Sequence, residues 1–144
     1  IRHNIEGQRL VVVDDSVVRG TTTRAIVQML KSSGAAEVHL RISSPPYRWP
    51  CFYGMDTGTK SELMAANLTM EEIQEYLGVN SIAYLELDRL VDATGAPGAG
   101  FCTACLDGDY PVEIPVSLNS EVVIKQKDEC DGGFVSAVQM GFQE

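Results

Sequence analysis

Basic residues are scarce in this sequence. Of its 144 residues, 11 are Lys or Arg and 20 are Asp or Glu, which gives a formal net charge of −9 at pH 7. Proteins that bind duplex nucleic acid or anionic membranes by surface charge concentrate Lys and Arg in a patch or a run. We therefore expect neither partner. A phosphorylated ligand would need local donors, for which Arg19, Arg24 and Arg41 are candidates.

Long apolar runs are also missing. None approaches the roughly 18 residues that span a bilayer, and the first residues lack the pattern of a signal peptide. We therefore expect a cytoplasmic protein, in which 44% hydrophobic residues suffice for one modest core. Because the sequence opens without Met and a strand is predicted by about Leu10, we expect an upstream portion to precede it.

The two common nucleotide-binding fingerprints are absent as well. No Gly-x-x-x-x-Gly-Lys-Ser/Thr segment occurs, which excludes a Walker loop, and no Gly-x-Gly-x-x-Gly segment occurs, which excludes the dinucleotide fingerprint. Residues 11–23 instead read Val-Val-Val-Asp-Asp-Ser-Val-Val-Arg-Gly-Thr-Thr-Thr. The β-branched run at residues 10–13 predicts a strand buried on both faces of a parallel sheet.

Two adjacent acids follow this strand. Because a buried strand does not carry charge, Asp14 and Asp15 are expected at its carboxyl end, where open α/β sheets bind ligands. Ionised carboxylates only accept hydrogen bonds, which suits a vicinal diol. A divalent cation beside them, Mg²⁺ in our prediction, would relieve their mutual repulsion.

The next segment has the composition of an anion site. Residues 16–22 contain one Gly, three hydroxyl residues and no Lys, so that backbone N–H groups and hydroxyls must supply most donors. Gly20 lets the backbone approach a phosphate closely. The apolar spacing then predicts a helix over residues 21–33, stopped by Gly34, whose N-terminus faces the same phosphate.

A plain alternative stays open for this segment. An ordinary strand-to-helix turn would use Asp15 or Ser16 to cap the helix and would leave Asp14 in solvent. An isolated Asp-Asp pair favours that alternative. A buried strand, paired acids, a hydroxyl loop and a helix start in this order favour the ligand site.

The remaining pattern predicts further strands and helices. Val38, Leu40 and Ile42 alternate as the inward side chains of a second strand. Two capping boxes each predict the start of a short helix. The predicted elements are a strand at 37–42, an irregular crossing at 43–49, capping boxes at 59–62 and 69–72, a strand at 82–85, a helix at 86–92 and a loop at 95–100.

The cysteines form a second group. Cys102 and Cys105 are separated by two residues, Cys51 lies far upstream, and Cys130 stands alone. Closely spaced thiolates with a distant third supply three of the four ligands of zinc or an iron–sulfur cluster. A redox pair is the alternative for Cys-x-x-Cys. We interpret Cys130 as a free thiol.

At this point the sequence resembles a known family. Residues 11–23 look like the phosphoribosyl pyrophosphate loop of type I phosphoribosyltransferases. Further segments resemble, in order, the carboxyl-terminal part of the glutamine amidophosphoribosyltransferases: RISSPP at 41–46, PCFYGMDT at 50–57, FCTAC at 101–105 and GDYP at 108–111. The resemblance implies an α/β fold, part of the type I phosphoribosyltransferase fold, with a parallel sheet flanked by helices and a C-terminal helical and loop extension that binds a cluster.

The resemblance also implies roles for particular residues. Asp14 and Asp15 would hold the ribose hydroxyls and Mg²⁺, and residues 16–22 would hold the 5-phosphate. No catalytic residue is expected in this part, because such enzymes act mainly by positioning the donor and stabilising the leaving pyrophosphate. The implied substrate-binding residues are Asp14, Asp15, Ser16, Val17, Val18, Arg19, Gly20, Thr21 and Thr22.

The implied organisation has three parts. Residues 1–50 would be the end of the phosphoribosyltransferase core, 51–115 a helical extension with iron–sulfur ligands, and 116–144 a loose tail. Cys51, Cys102 and Cys105 match three ligands of the family's 4Fe-4S cluster, whose fourth ligand lies outside this chain. The cluster would be structural.

The implied function is the transfer of glutamine-derived ammonia to phosphoribosyl pyrophosphate, giving 5-phosphoribosylamine, the first committed step of purine synthesis. The ammonia would come from a glutaminase domain absent here, so that this segment alone is expected to be inactive. Purine nucleotides are expected as feedback inhibitors, and a homo-oligomer is expected. A salvage-type phosphoribosyltransferase and a non-catalytic nucleotide-phosphate or metal-binding regulatory module stay open as alternatives.

Overall fold

A three-stranded parallel sheet organises the chain. The computed structural model describes residues 2–55, 57, 59–96 and 100–114, so that Cys130 and the predicted tail lie outside the described residues. The strands, in spatial order, are β1 (Arg9–Asp14), β2 (Glu37–Ile42) and β3 (Ser81–Tyr84). The helices are α1 (Thr21–Ser32), α2 (Met64–Asn67), α3 (Met70–Leu77), α4 (Leu87–Ala93) and α5 (Ala104–Asp107), and 3₁₀ turns span Arg2–Asn4 and Lys60–Glu62.

One face of the sheet carries the core. Val38, Leu40 and Ile42 of the central strand β2 are at most 3% exposed, which confirms their predicted inward orientation. Val27 of α1 and Ile73 of α3 belong to the same core and are each 1% exposed. The β1 to α1 to β2 crossover therefore places α1 on this face, as a parallel pair requires.

The opposite face corrects the prediction for β1. Val11 and Val13 are 66% and 69% exposed, and the side chains that alternate with them are half-buried, so this strand is covered on one face only in the described structure. None of the described helices covers these two valines, because α1 and α3 both pack on the other side. His39 lies on the same outer face of β2, where its Nε2 contacts Glu37 Oε2 at 2.8 Å.

Only one of the two predicted capping boxes forms in the described residues. Thr69 Oγ1 accepts the N–H of Glu72 at 3.3 Å, and Glu72 Oε2 accepts the N–H of Thr69 at 2.8 Å, at the start of α3. The box predicted at Thr59 is wrong. Thr59 Oγ1 forms a hydrogen bond with Ser61 Oγ instead, at 2.7 Å. Glu62 accepts a hydrogen bond from Arg19.

The other predicted strands and helices agree within one or two residues at their ends, and residues 97–99 of the loop predicted at 95–100 lie outside the described residues. β3 begins at Ser81 instead of residue 82, and α4 lies between its caps Glu86 and Thr94. No helix in the described part of the chain has the length and apolar character needed to cross a membrane.

Candidate functional site

The two acids stand where β1 ends. Asp14 is the last residue of the strand, and its Oδ1 accepts the N–H of Asp15 at 3.0 Å. Asp15 Oδ1 in turn accepts the N–H of Ser16 at 2.8 Å. Each carboxylate thus holds the peptide that follows it while the chain leaves the strand. We call residues 14–22 the β1–α1 loop.

Neither acid caps the helix. The N-cap of α1 is Gly20, and no side chain of the described residues caps the first turn of α1 by a hydrogen bond. The alternative in which Asp15 or Ser16 caps the helix is therefore wrong. The acids are available for another role, because the helix begins without them.

A serine that follows β2 fastens the base of this loop. The backbone N–H and the hydroxyl of Ser43 both donate to the carbonyl oxygen of Asp14, at 2.9 and 3.1 Å. These bonds join the carboxyl ends of β1 and β2. Ligands of open α/β sheets bind at this end of the strands. Ser43 lies in the RISSPP segment, but no role was predicted for it from the sequence, because its partner Asp14 is 29 residues away.

Gly20 shapes the entry into α1. Its φ of 74° lies in the left-handed region, and a Cβ there would approach Met64 Sδ to 2.7 Å. Thr21 and Thr22 follow in the exposed first turn of α1, while Thr23 is buried. An uncapped helix N-terminus flanked by hydroxyls presents backbone donors and a partial positive charge, which suits a phosphate.

The two valines of the loop anchor it to the body of the protein. Val17 is 2% exposed and belongs to the core, and the carbonyl oxygen of Val18 accepts the N–H of Met64 at 2.9 Å. The Val17 side chain is therefore turned away from any ligand. Val17 is predicted to bind the substrate, and only its backbone is placed so that it could contact a ligand.

The three candidate basic residues do not converge. Arg19, within the loop, forms an ion pair with Glu62, its Nε lying 2.9 Å from Glu62 Oε2. Arg24 lies over the ring of Tyr76, 4.7 Å from its centroid. Arg41 donates to its neighbour's carbonyl and to a serine on the outer face of the sheet. Arg19 is thus the one member of this trio that stands in the β1–α1 loop.

The cysteines form a separate centre on residues 47–55, 57 and 100–112, which we call the cysteine region. Cys51, Cys102 and Cys105 are all free thiols. The N–H of Cys51 donates to Thr57 Oγ1 at 2.7 Å, and the N–H of Tyr53 donates to Cys51 Sγ at 3.4 Å. Burial raises the pKa of the Cys105 thiol, and the neighbouring Cys51 and Cys102 raise it further.

Backbone and aromatic contacts hold this region together. The carbonyl of Cys105 accepts the N–H groups of Arg48 and Trp49, both at 3.2 Å. The Tyr110 hydroxyl donates to the Pro50 carbonyl at 2.6 Å, and its ring lies 5.4 Å from that of Phe52. Burial, followed by the neighbouring cysteines, raises the pKa of Tyr110 to about 12. Segments far apart in the sequence therefore meet around the thiols.

Neither predicted metal centre appears as a complete ligand set. Within the described residues, no three His, Cys, Asp or Glu side chains are grouped so that they could hold one metal ion. Hydrogen bonds join the backbone near Cys51 to that near Cys105, because the carbonyl of Cys105 accepts the N–H groups of Arg48 and Trp49. The Mg²⁺ and iron–sulfur assignments stay predictions.

Several supporting residues escaped the sequence prediction. Thr57, which is 1% exposed, holds Cys51, and Met64 packs beneath Gly20. Met64 acts on a segment 44 residues away, whereas Thr57 acts within its own segment, by a side-chain acceptor that no regular pattern marks. A cavity of about 290 Å³ is lined by Arg48, residues 65–70 and Ile73.

Several known proteins resemble this chain in sequence. No family model matches the chain. It is 46% identical over 119 residues to the amidophosphoribosyltransferase of Methanothermobacter thermautotrophicus and 51% identical over 117 residues to that of Archaeoglobus fulgidus. These alignments cover 83% and 80% of this chain, but 25% and 26% of the relatives. The chain thus spans about a quarter of the length of the curated relatives that it matches.

Two solved structures share the fold. Glutamine phosphoribosylpyrophosphate (PRPP) amidotransferase from B. subtilis, complexed with ADP and GMP, superposes with a TM-score of 0.74 at 46% identity. It matches 80% of this chain and 26% of its own. The structure of the allosteric regulatory enzyme of purine biosynthesis gives the same TM-score at 43% identity, over 86% of this chain and 27% of its own. The predicted α/β fold is confirmed.

Proposed function

Because the chain belongs to the amidophosphoribosyltransferase family, we propose that it supplies the part of such an enzyme that binds phosphoribosyl pyrophosphate. The whole enzyme would transfer glutamine-derived ammonia to C1 of this donor and release pyrophosphate, which gives 5-phosphoribosylamine and begins purine synthesis. One observation carries the proposal: the β1–α1 loop joins two carboxylates at a strand end to a glycine-led, uncapped helix N-terminus.

The two carboxylates would bind the ribose. A carboxylate has several lone-pair positions, so Asp14 and Asp15 keep the capacity to accept ribose hydroxyls while each bonds a backbone N–H. Two acids that bind one ribose would repel each other, and Mg²⁺ bound beside them would offset that repulsion and the charge of the donor. The chain's own residues would thus fix the orientation of the sugar ring.

The rest of the loop would bind the 5-phosphate. The first turn of α1 offers backbone N–H groups, and Ser16, Thr21 and Thr22 offer hydroxyls. The dipole of a helix end contributes only about 0.3–1 kcal/mol, so that direct hydrogen bonds must supply most of the affinity. Gly20 allows the left-handed backbone conformation with which the loop enters the first turn of α1.

The chemistry would depend on position and charge. As pyrophosphate leaves, C1 of the ribose becomes oxocarbenium-like, and ammonia attacks it without a protein nucleophile. This chain would hold the donor, and the ammonia source would lie in the part of the enzyme beyond the quarter represented here. We expect no turnover from this segment alone, and we expect the whole enzyme to be a cytoplasmic homo-oligomer.

We also propose that Cys51, Cys102 and Cys105 bind a 4Fe-4S cluster with a fourth ligand outside this chain. The hydrogen bonds that join the segments of Cys51 and Cys105 support this, as does the N–H of Tyr53 directed at Cys51 Sγ. Such hydrogen bonds to sulfur tune iron–sulfur clusters. The cluster would stabilise the cysteine region and take no part in the transfer.

Nucleotide regulation is supported by one relative. The B. subtilis enzyme is complexed with ADP and GMP. A pocket for ribose 5-phosphate accepts the corresponding half of a nucleoside monophosphate. We therefore propose purine nucleotides as feedback inhibitors of the enzyme that contains this chain.

The decisive experiment neutralises both acids in the full-length protein. Asp14→Asn/Asp15→Asn should weaken phosphoribosyl pyrophosphate binding by about 100-fold or more, because charged hydrogen bonds contribute roughly 1.5–3 kcal/mol each. Isothermal titration calorimetry in the presence of Mg²⁺ measures the affinity. The matched control is Glu71→Gln/Glu75→Gln, which removes two exposed charges from α3 and should leave the affinity unchanged. Equal affinities of the acid variant and the wild type would overturn the proposal.

A further inference from the structure

The 3₁₀ turn Lys60–Glu62 and the start of α2 form a wall along the β1–α1 loop. Met64 donates its N–H to the carbonyl of Val18 at 2.9 Å, and its sulfur lies 2.7 Å from the position that a Cβ of Gly20 would take. Backbone and side chain therefore both fix the position of the turn relative to the loop. The turn therefore holds the side chain of Glu62 next to the loop.

Glu62 presents a carboxylate to Arg19. Both Nε and Nη2 of Arg19 contact the same oxygen, Oε2, with Nε at 2.9 Å. The two side chains are 46% and 44% exposed, so water and ligands reach the pair. Exposed ion pairs contribute little to stability, which means that a stronger anion can open this one at small cost.

From these contacts we propose that Glu62 competes with the ligand phosphate for Arg19 and thereby sets the affinity of the β1–α1 loop for phosphorylated ligands. This inference rests on the proposed function, because it assigns the 5-phosphate to that loop. A phosphate offers Arg19 more oxygen acceptors and more charge than one carboxylate does. The guanidinium therefore leaves Glu62 and binds the phosphate. Glu62 then stays beside the bound phosphate as an unfavourable like charge. Its effect is to neutralise Arg19 in the empty loop and to keep the ligand exchangeable.

The test replaces the carboxylate by an amide of the same shape in the full-length protein. Glu62→Gln should bind ribose 5-phosphate about three- to tenfold more tightly than the wild type at low ionic strength, by calorimetry. The gain should shrink as salt is added, because the interaction is screened. Glu75→Gln, with the same change on the exposed side of α3, is the control and should bind like the wild type.

A second variant separates competition for Arg19 from simple repulsion. In the Arg19→Gln background, the gain from Glu62→Gln should fall to less than about twofold, because no guanidinium remains to be released. An equal gain in both backgrounds would overturn the proposal. Unchanged or weaker binding by Glu62→Gln would overturn it as well.

These outcomes are distinguishable from failure of the proposed function. One result is that the Asp14→Asn/Asp15→Asn variant loses affinity for phosphoribosyl pyrophosphate while Glu62→Gln binds ribose 5-phosphate like the wild type. That result would support the proposed donor site and overturn the role of Glu62. If the wild type binds neither phosphoribosyl pyrophosphate nor ribose 5-phosphate, both fall together.

Discussion

The β1–α1 loop and the cysteine region are built in opposite ways. The loop is one continuous segment that a strand and a helix hold at its two ends, at Asp14 and Thr21. The cysteine region joins distant segments, for example by the bond from the Tyr110 hydroxyl to the Pro50 carbonyl and by the bond from Trp49 N–H to the Cys105 carbonyl. The regular backbone hydrogen bonds of a strand and a helix support the β1–α1 loop, whereas individual contacts support the cysteine region.

This difference predicts unequal sensitivity to substitution. Where a sheet and a helix hold a segment together, one altered contact leaves many others in place. Where few contacts join two segments, the loss of one opens the region. We therefore expect matched changes to cost more in the cysteine region than in the loop, and three substitutions test this expectation.

Gly108→Ala should have the largest effect. Gly108 has a φ of +82°, and its Cβ would lie 2.7 Å from Cε2 of the Trp49 ring, which is rigid. Left-handed strain and overpacking together should lower the local free energy of unfolding by about 3–4 kcal/mol. Hydrogen exchange of the full-length protein measures this, and amides of the β1–α1 loop should keep their protection.

Gly78→Ala is the matched control for backbone strain. Gly78 ends α3 with a φ of +70°, and a Cβ added there would meet no other segment of the described residues within 4 Å. This variant should cost only about 1 kcal/mol. If Gly108→Ala also cost only about 1 kcal/mol, Trp49 would have to move freely, and the cysteine region would not be the more sensitive of the two regions.

Gly20→Ala should have an intermediate effect on the loop. The backbone strain is the same, but the clashing atom at 2.7 Å is the sulfur of Met64, a flexible side chain. We expect a loss of about 2 kcal/mol by the same measurement, together with weaker ribose 5-phosphate binding. Met64→Ala in the same chain should remove the overpacking and leave the strain. A cost above that of Gly108→Ala would reverse the proposed order.

Thr57→Val should have the smallest effect of the three. It keeps the shape of a residue that is 1% exposed, but removes the oxygen that accepts the Cys51 N–H at 2.7 Å. An unpaired buried N–H costs about 1–2 kcal/mol. Exchange of the Cys51 amide should accelerate accordingly. Thr59→Val changes an exposed threonine that makes no capping hydrogen bond and should leave that amide unaffected.

Local patterns predicted the elements that local physics decides. The alternation of Val38, Leu40 and Ile42 gave β2 with its buried face, and the sequence Thr69 to Glu72 gave a capping box that forms. The β1–α1 loop was found because its acids, glycine and helix start are contiguous. In each case the interacting groups are a few residues apart.

Contacts between distant segments explain the failures. The box predicted at Thr59 does not form, because Glu62 finds Arg19, 43 positions away in the sequence. The exposure of Val11 and Val13 depends on which elements cover the sheet, and strand composition does not record that. Ser43 and Met64 likewise act across segments, on Asp14 and on Val18.

The outer face of β1 has a practical consequence for solubility. β1 pairs with β2 on one side and stands at the edge of the described sheet, so that its other side presents backbone donors and acceptors beside two exposed valines. Such an edge recruits further strands. If this segment is expressed by itself, we expect it to self-associate along β1. Lysine in place of Val13 would be the first change to try for a soluble preparation.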